Sequence, residues 1–291
     1  MGRVLACGLA TVDVVQTVAA PPGPNDKIVA SAASIEGGGP ALNAAVTAAV
    51  LGASAVLVSA VGDGPLSQVV RADLYRYAVE LADCGVSGYD PPLSTVLVTA
   101  ATGERAVVSR NALGAESYLP IHDNVLDGVG AVLVDGHHLP LCREVAFQAR
   151  RRGIPVVLDG GSWKPGLESL LREVDMAVVS ADFTTPDGDG LDAVLRYGPT
   201  FAARTRGSGP VAWRARDGSS GTIDPPRVRV VDTLGAGDVL HGAVLARLAE
   251  QGWSDPAAVL EYGVRVASRS VGYAGVRGWA RRDPAAGQVA G

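Results

Sequence analysis

The residues best placed to do chemistry are Asp232-Thr233-Leu234-Gly235-Ala236-Gly237-Asp238, followed by Val239-Leu240-His241-Gly242-Ala243. A β-branched run at 228–231 leads into the Gly-Ala-Gly turn, and helical spacing begins at once, with Leu240, Val244 and Leu248 four residues apart. Small residues at a helix start let ligand atoms approach backbone N–H groups that have no intrahelical partner. The helix adds roughly half a positive charge at that end. Such a turn makes an anion hole for a phosphate, or for a phosphoryl group in transfer. Asp238, in the first helical turn, stands where a carboxylate can accept a proton from an attacking hydroxyl. An Asp there also serves as a plain helix-dipole partner, so the whole string, not the acid alone, carries the reading.

Other phosphate loops are excluded. No GxxxxGK[ST] string occurs, and neither lysine (Lys27, Lys164) lies in a glycine-rich loop. Gly37-Gly38-Gly39 opens like a dinucleotide fingerprint, but Leu42 stands where a third glycine is needed. Instead, Gly38-Gly39-Pro40-Ala41-Leu42-Asn43 leads into a helix with Asn43 in its first turn. An Asn there, with Asp13 at the end of the first strand, suits hydrogen bonding to a polyol; a capped glycine-rich turn is the plain alternative.

These groups need a scaffold. Candidate strands at 4–15, 55–61, 131–134, 154–158, 176–179 and 228–231 alternate with helical patterns at 41–51, 68–81, 141–151 and 239–251. Gly52 and Gly252 occupy C-terminal cap positions, and Ser254-Asp255-Pro256 reads as a cap followed by Pro at the first helical position. The alternation predicts an α/β protein, a mostly parallel sheet with helices on both faces. Residues 94–100 and 105–110 flank Ala101-Thr102-Gly103-Glu104 as an antiparallel hairpin, and 26–35 reads as a further strand outside the main sheet. Together they predict a small β-sheet lid. Asp13, Asp63, Asp135, Asp159 and Asp232 fall at or just past strand C-terminal ends, the edge where open parallel sheets bind ligands. Asp also suits turns and caps, so the pattern locates an edge without naming a reaction.

Composition sets the bounds. The chain has 291 residues, of which 30 are acidic and 25 basic, for a net charge of −5. This excludes a general nucleic-acid binder. A hydrophobic content of 47% excludes a disordered chain. Three cysteines, Cys7, Cys84 and Cys142, with no CxxC pair, offer neither a disulfide framework nor a zinc site and fit a reducing, cytoplasmic setting. The apolar run at 4–12 is interrupted by Asp13 and reads as a core strand rather than a signal segment. The uncharged stretch 37–62 is long enough to span a bilayer, but it is diluted by Asn43, Thr47, Gly52, Ser54 and Ser59. The expectation is a soluble protein with no membrane partner.

The motif Asp232 to Asp238 with Gly242-Ala243, preceded in order by Gly38-Gly39, Asn43 and Gly62-Asp63, resembles the ribokinase-like, or PfkB, carbohydrate kinases over residues 3–280. Residues 71–81, Pro225-Pro226 and 262–275 look most like ketohexokinases and bacterial sugar kinases related to them. The resemblance implies a three-layer ribokinase-like fold as one domain at 1–280, lid strands inserted at about 13–36 and 91–113, and a frayed tail at 281–291. It implies ATP-dependent phosphorylation of a sugar hydroxyl, with Asp238 as base and the Gly235, Ala236 and Gly237 amides as the anion hole. Asp13, Gly38, Gly39 and Asn43 would hold the sugar, with Arg110 reaching in from the lid. Thr205, Gly207, Ala267 and Ser268 would line the nucleotide site. Asp232 would face a K⁺-type ion through its carbonyl. The family's NxxE motif, which serves Mg²⁺, becomes Ser180-Ala181-Asp182-Phe183 here, leaving Asp182 as the nearby acid. Pro40 replaces an Asn that binds sugar in ketohexokinases. His137, His138 and His241 read as packed or solvated histidines. A nucleoside kinase would want aromatic or apolar groups near the lid, and the hairpin, with Ser109 and Arg110 at its end, offers none. A regulator that has lost catalysis is the reading from another class. Exposed lid strands imply a homodimer through the lid.

Overall fold

The computed structural model describes residues 2–112 and 118–281. In chain order the elements are β1 (Arg3–Cys7), β2 (Thr11–Val18), β3 (Ala32–Gly38), α1 (Pro40–Val50), β4 (Ser54–Ser59), α2 (Ser67–Arg76), β5 (Glu80–Asp83), β6 (Leu93–Thr99) and β7 (Arg105–Ser109). There follow β8 (Val129–Val134), α3 (Leu139–Arg151), β9 (Val156–Gly160), α4 (Leu167–Leu171), β10 (Met176–Val179), α5 (Leu191–Arg196) and β11 (Phe201–Arg206). The last are β12 (Gly209–Ala215), β13 (Ser220–Ile223), α6 (Ala236–Gln251), α7 (Pro256–Ser270) and α8 (Gly278–Arg281).

Alternation along the central strands sorts apolar residues into two cores. Val4, Ala6, Leu57, Leu133, Val157 and Val178 point to one face, where α1, α2, α6 and α7 pack. Leu5, Cys7, Val56, Val134, Leu158 and Val179 point to the other, covered by α3, α4 and α5. With both faces buried, the strands are near-continuous apolar runs, as a parallel sheet requires. The nine-stranded sheet has the order β13-β12-β11-β10-β9-β8-β1-β4-β5. It is parallel from β5 through β11, with β12 and β13 antiparallel at one edge. A four-stranded sheet of order β3-β2-β6-β7 forms the lid. This is the three-layer architecture with a β lid that the sequence implies.

Four boundaries differ from expectation. The strand expected at 4–15 is two: Gly8, at φ 155°, breaks it, and a Cβ there would collide with the Asp135 carboxylate. The chain thus leaves the main sheet and enters the lid. The helix expected to reach 81 stops at Arg76, Ala78 reverses the chain at φ 53°, and residues 80–83 form the edge strand β5. The lid strand expected from 26 begins at Ala32. Residues 228–231 are no strand; the alternating Arg-Val pattern lacks a partner, and Val231 N instead donates to Val271 O beyond α7. Asp232 therefore closes no strand, and Asp13 lies inside β2 rather than at a strand end. Of the expected tail only Arg281, the end of α8, is described; 282–291 lie outside the described residues, as does 113 at the end of the expected lid segment.

The caps follow the sequence. Asp255 accepts from Ala258 N at 2.9 Å with Pro256 opening α7, and Gly252 ends α6. Gly242 lets α6 touch α1, since a Cβ there would lie 2.5 Å from Ala44 O. This close approach sets Asn43 of α1 beside Asp238 of α6.

Candidate active site

Asp238 lies half-buried in the first turn of α6, where the C-terminal ends of the central strands meet the lid. Asn43 Nδ2 donates to its Oδ2 at 2.7 Å. Desolvation pushes its carboxyl up to about 7, aided by the negative charges of Asp159 and Asp13 and opposed by Asn43 and His241. A carboxylate poised near neutrality is suited to general-base work.

Gly235 caps α6 in a left-handed conformation, φ 71° and ψ 9°, which turns the chain so that the helix N-terminus faces the cleft. Among the described residues no backbone carbonyl accepts from the Gly235 or Gly237 amide, whereas Ala236 N donates to Thr233 O at 3.3 Å. A Cβ added to Gly237 would meet nothing within 4 Å, so that face is open to a ligand. Two open amides and a helix dipole thus sit beside a carboxylate of raised pKa.

The expected sugar ligands converge here. Asp13 accepts from Thr11 Oγ1 at 2.7 Å and leans over Gly38, where any side chain would clash with it. Burial raises its pKa. Gly39, at φ 95°, passes so close to Leu9 O that only glycine fits. Asn43 is already engaged: its Oδ1 accepts from Arg277 at 3.0 Å and one N–H goes to Asp238, leaving one N–H for a ligand. Arg110 is exposed at the lid edge, one residue past Ser109, which bonds Ser94 at 2.9 Å; Ser94 is the β6 partner of Asp13.

Thr205 and Gly207 lie at the C-terminal end of β11 and in the turn after it, on the same sheet edge. Ala267 and Ser268 lie in the last turns of α7, whose end bonds the 231–232 segment. No hydrogen bond joins these two pairs among the described residues. The Asp232 carboxylate accepts from Leu234 N at 2.8 Å and Gly275 N at 2.9 Å, so it braces the loop. Asp182 is exposed just past β10, and Phe183 is fully buried against Trp163.

Several contributors escape a linear reading. His241 is buried one helical turn beyond Gly237, with Nδ1 at 3.2 Å from Asp159 and 2.7 Å from Gly237 O. It is packed, as expected, but tied to an acid that acts on Asp238. Lys164 lies 3.3 Å from His137 Nε2, and its charge also reaches Asp159. From the lid hairpin, Arg105 donates to Thr233 Oγ1 at 2.6 Å, seating the lid on the loop that leads into α6. Beneath the lid a cavity of about 750 Å³ is lined by Val15, Glu36 and Val98 on the lid side and Val69, Val231 and Arg277 on the body side. The lid therefore does offer apolar groups, contrary to expectation, though no aromatic ring lines the space.

Asp135, just past β8, is the hub beneath the site. It accepts from Leu9 N at 2.8 Å, Ala41 N at 3.2 Å and His137 N at 2.8 Å. Burial alone would raise its pKa, but His137 and these donors more than offset it and hold the carboxyl at about 2. Asp135→Ala strands two buried amides, so a loss of about 2–3 kcal/mol is expected in urea unfolding.

The family assignment follows from the whole chain. Residues 1–281 match the model of the pfkB family carbohydrate kinases. The chain belongs to that family. As a pfkB family carbohydrate kinase it is a phosphotransferase acting on a sugar hydroxyl. An Agrobacterium tumefaciens structure described as a candidate ribokinase is similar at 26% identity, with a TM-score of 0.82 and 97% of this chain and 99% of that one covered. The Thermotoga maritima ribokinase structure shares the fold at 20% identity and a TM-score of 0.78, covering 96% of each chain. So does an Arabidopsis thaliana ribokinase complexed with ribose and ATP, at 19% identity and a TM-score of 0.76, covering 94% of each chain. Among the described residues no helix of this pfkB kinase is long and apolar enough to cross a membrane.

Proposed function

We propose that this chain transfers the γ-phosphoryl group of ATP to a hydroxyl of a ketohexose or related furanose. The observation that carries this reading is Asp238, its pKa raised to about 7, next to the open amides of Gly235 and Gly237. Asp13, Gly38, Gly39 and the free N–H of Asn43 hold the sugar, with Arg110 at the lid edge. Asp238 takes the proton of the attacking hydroxyl, and the amides of Gly235 and Gly237, with Ala236 beside them, stabilise charge on the transferring group. Thr205, Gly207, Ala267 and Ser268 flank the nucleotide.

ATP brings Mg²⁺ as part of the substrate. Phe183 occupies the position of the family's glutamate, and among the described residues no group of three or more His, Cys, Asp or Glu forms a ready cage. That donor set fits an ion held mainly by phosphates and water, with Asp159 and Asp182 as the carboxylates facing it. A K⁺-type ion would meet the Asp232 carbonyl, since the carboxylate braces the loop. All three cysteines are free and buried, in keeping with a cytoplasmic enzyme. Val108, 75% exposed, and Ile35, 63% exposed, on the lid support a homodimer through that sheet.

Coupled ADP release across a panel of ketohexoses, other furanoses and nucleosides tests the assignment. The expected result is Mg²⁺-dependent release with a ketohexose or furanose and little with nucleosides. Nucleosides are the second reading because Val15 and Val98 give the lid an apolar inner wall. Thermal stabilisation by sugar or ATP with no ADP release from any compound would instead mark a binding protein.

A further inference from the structure

We propose that Arg277 is a positioning residue for the base: its guanidinium fixes the orientation of the Asn43 amide, which in turn holds Asp238. The proposal rests on the reading of Asp238 as the base. Arg277 lies in the turn before α8 and is almost fully buried. It pairs with Asp73 of α2, donates to Gly37 O of β3 at 2.8 Å, and donates to Asn43 Oδ1 at 3.0 Å. Its guanidinium also lies 5.3 Å from the centre of the Tyr77 ring. The Asp73 carboxylate accepts from Gly37 N at 3.0 Å, so the pair grips both sides of one residue at the root of the lid.

The chemistry leaves one arrangement. A guanidinium only donates, and an ionised carboxylate only accepts. Asn43 stands between them, so its oxygen must face Arg277 and its nitrogen must face Asp238. The flipped amide would set oxygen against the carboxylate and N–H against N–H. Without Arg277 only the Asp238 carboxylate favours this orientation, and the amide is freer to turn its nitrogen to solvent or substrate. No hydrogen bond or ion pair joins Arg277 to Asp238 among the described residues; its contact route to the base is the Asn43 amide, and its charge also bears on Asp13. The buried Asp73 keeps the guanidinium charged and in place, since an unpaired cation there would be costly. The chain from α2 through the C-terminal turn to α1 and α6 thus sets the proton affinity of the base.

Two variants test this. Arg277→Lys keeps a cation for Asp73 but has no planar fork to reach both Gly37 O and Asn43 Oδ1. The double variant Arg277→Met with Asp73→Leu removes the buried pair together, which proteins often tolerate. In either variant, kcat should fall about 10- to 100-fold, with KM for ATP changed less than twofold. The midpoint of the kcat/KM–pH profile should rise by about one unit, because Asp238 loses a stabilising donor. The Asp238 carboxyl resonance, followed by ¹³C NMR across pH, should move by the same amount. A merely structural Arg277 would lower stability and leave both midpoints in place; unmoved midpoints in a folded variant overturn the proposal. Should Asp238→Asn prove fully active, the base reading fails, yet the carboxyl titration still reports whether Arg277 positions the amide.

Discussion

Asp238→Asn is expected to lower kcat by about 10²–10⁴ while leaving the protein folded and more stable at neutral pH than its parent. The amide keeps the shape of the side chain and can still accept from Asn43 Nδ2, so the α1–α6 contact survives. What it loses is the ability to take a proton. The stability gain follows from the raised pKa. Unfolded, the carboxyl titrates near 4; folded, desolvation and the charges of Asp159 and Asp13 push it up to about 7. Between these values the folded state binds the extra proton, so stability falls as pH rises through the window. A displacement of about three units limits that loss to at most about 4 kcal/mol, and the asparagine variant avoids it. Its advantage over the parent should therefore be near zero at pH 4 and largest above pH 7. Turnover of the parent should run the other way, with kcat/KM climbing to a plateau above pH 7 as the base ionises. Chemical denaturation at pH 5 and pH 8, beside steady-state kinetics, checks both signs. A variant equally active at pH 8, or destabilised there, would sink the assignment of the base.

The turn at the head of α6 was legible because it is contiguous. Gly235 to Asp238 carry their geometry in neighbouring residues, and the same holds for Gly38, Gly39 and Asn43 at the start of α1. β-branched runs likewise announced five of the seven parallel strands, β1, β4, β8, β9 and β10, because each is buried on both faces. β11 was missed, its Phe201-Ala202-Ala203-Arg204-Thr205-Arg206 being short of β-branched residues. β5 was missed since its sequence Glu80-Leu81-Ala82-Asp83 looks like helix continuation, and only the positive φ of Ala78 ends α2. The run at 228–231 misled for the opposite reason, having strand chemistry and no strand to pair with. The residues that hold Asp238 were hidden by distance in sequence. Arg277 and Asp73 are 204 positions apart, and Asn43 is 195 from Asp238. One signal was available: Asp73 sits between Val70 and Leu74 on the buried face of α2, and a buried acid calls for a buried cation. His241 and Asp159 follow the same pattern: each was noticed alone, but their pairing shows only once α6 and β9 meet.

Gly235→Val carries the second large effect, an expected fall in kcat of about 10²–10³. Gly235 adopts φ 71°, a conformation that strains a β-branched residue by about 1–3 kcal/mol. Space is the second obstacle, since its Cβ would lie 2.6 Å from Val276 Cγ1. The chain can relieve both only by rotating the peptide, which turns the Gly235 amide away from the cleft. Val276 must also yield, and it immediately precedes Arg277, so the Arg277–Asn43–Asp238 contacts would be disturbed along with the amides at the head of α6. Gly153→Val separates strain from chemistry: Gly153 has φ 69°, nothing within 4 Å of its Cβ position, and a place in the turn after α3, away from the cleft. Both variants should lose stability, while only Gly235→Val should lose turnover, with its KM for sugar rising less than its kcat falls. If the two variants lost turnover equally, the loss would be a general cost of strain. If only Gly235→Val fails, the amides at the head of α6 stabilise the transferring group, and the helix N-terminus supplies the positive potential that a lysine supplies in phosphate loops of the Walker type.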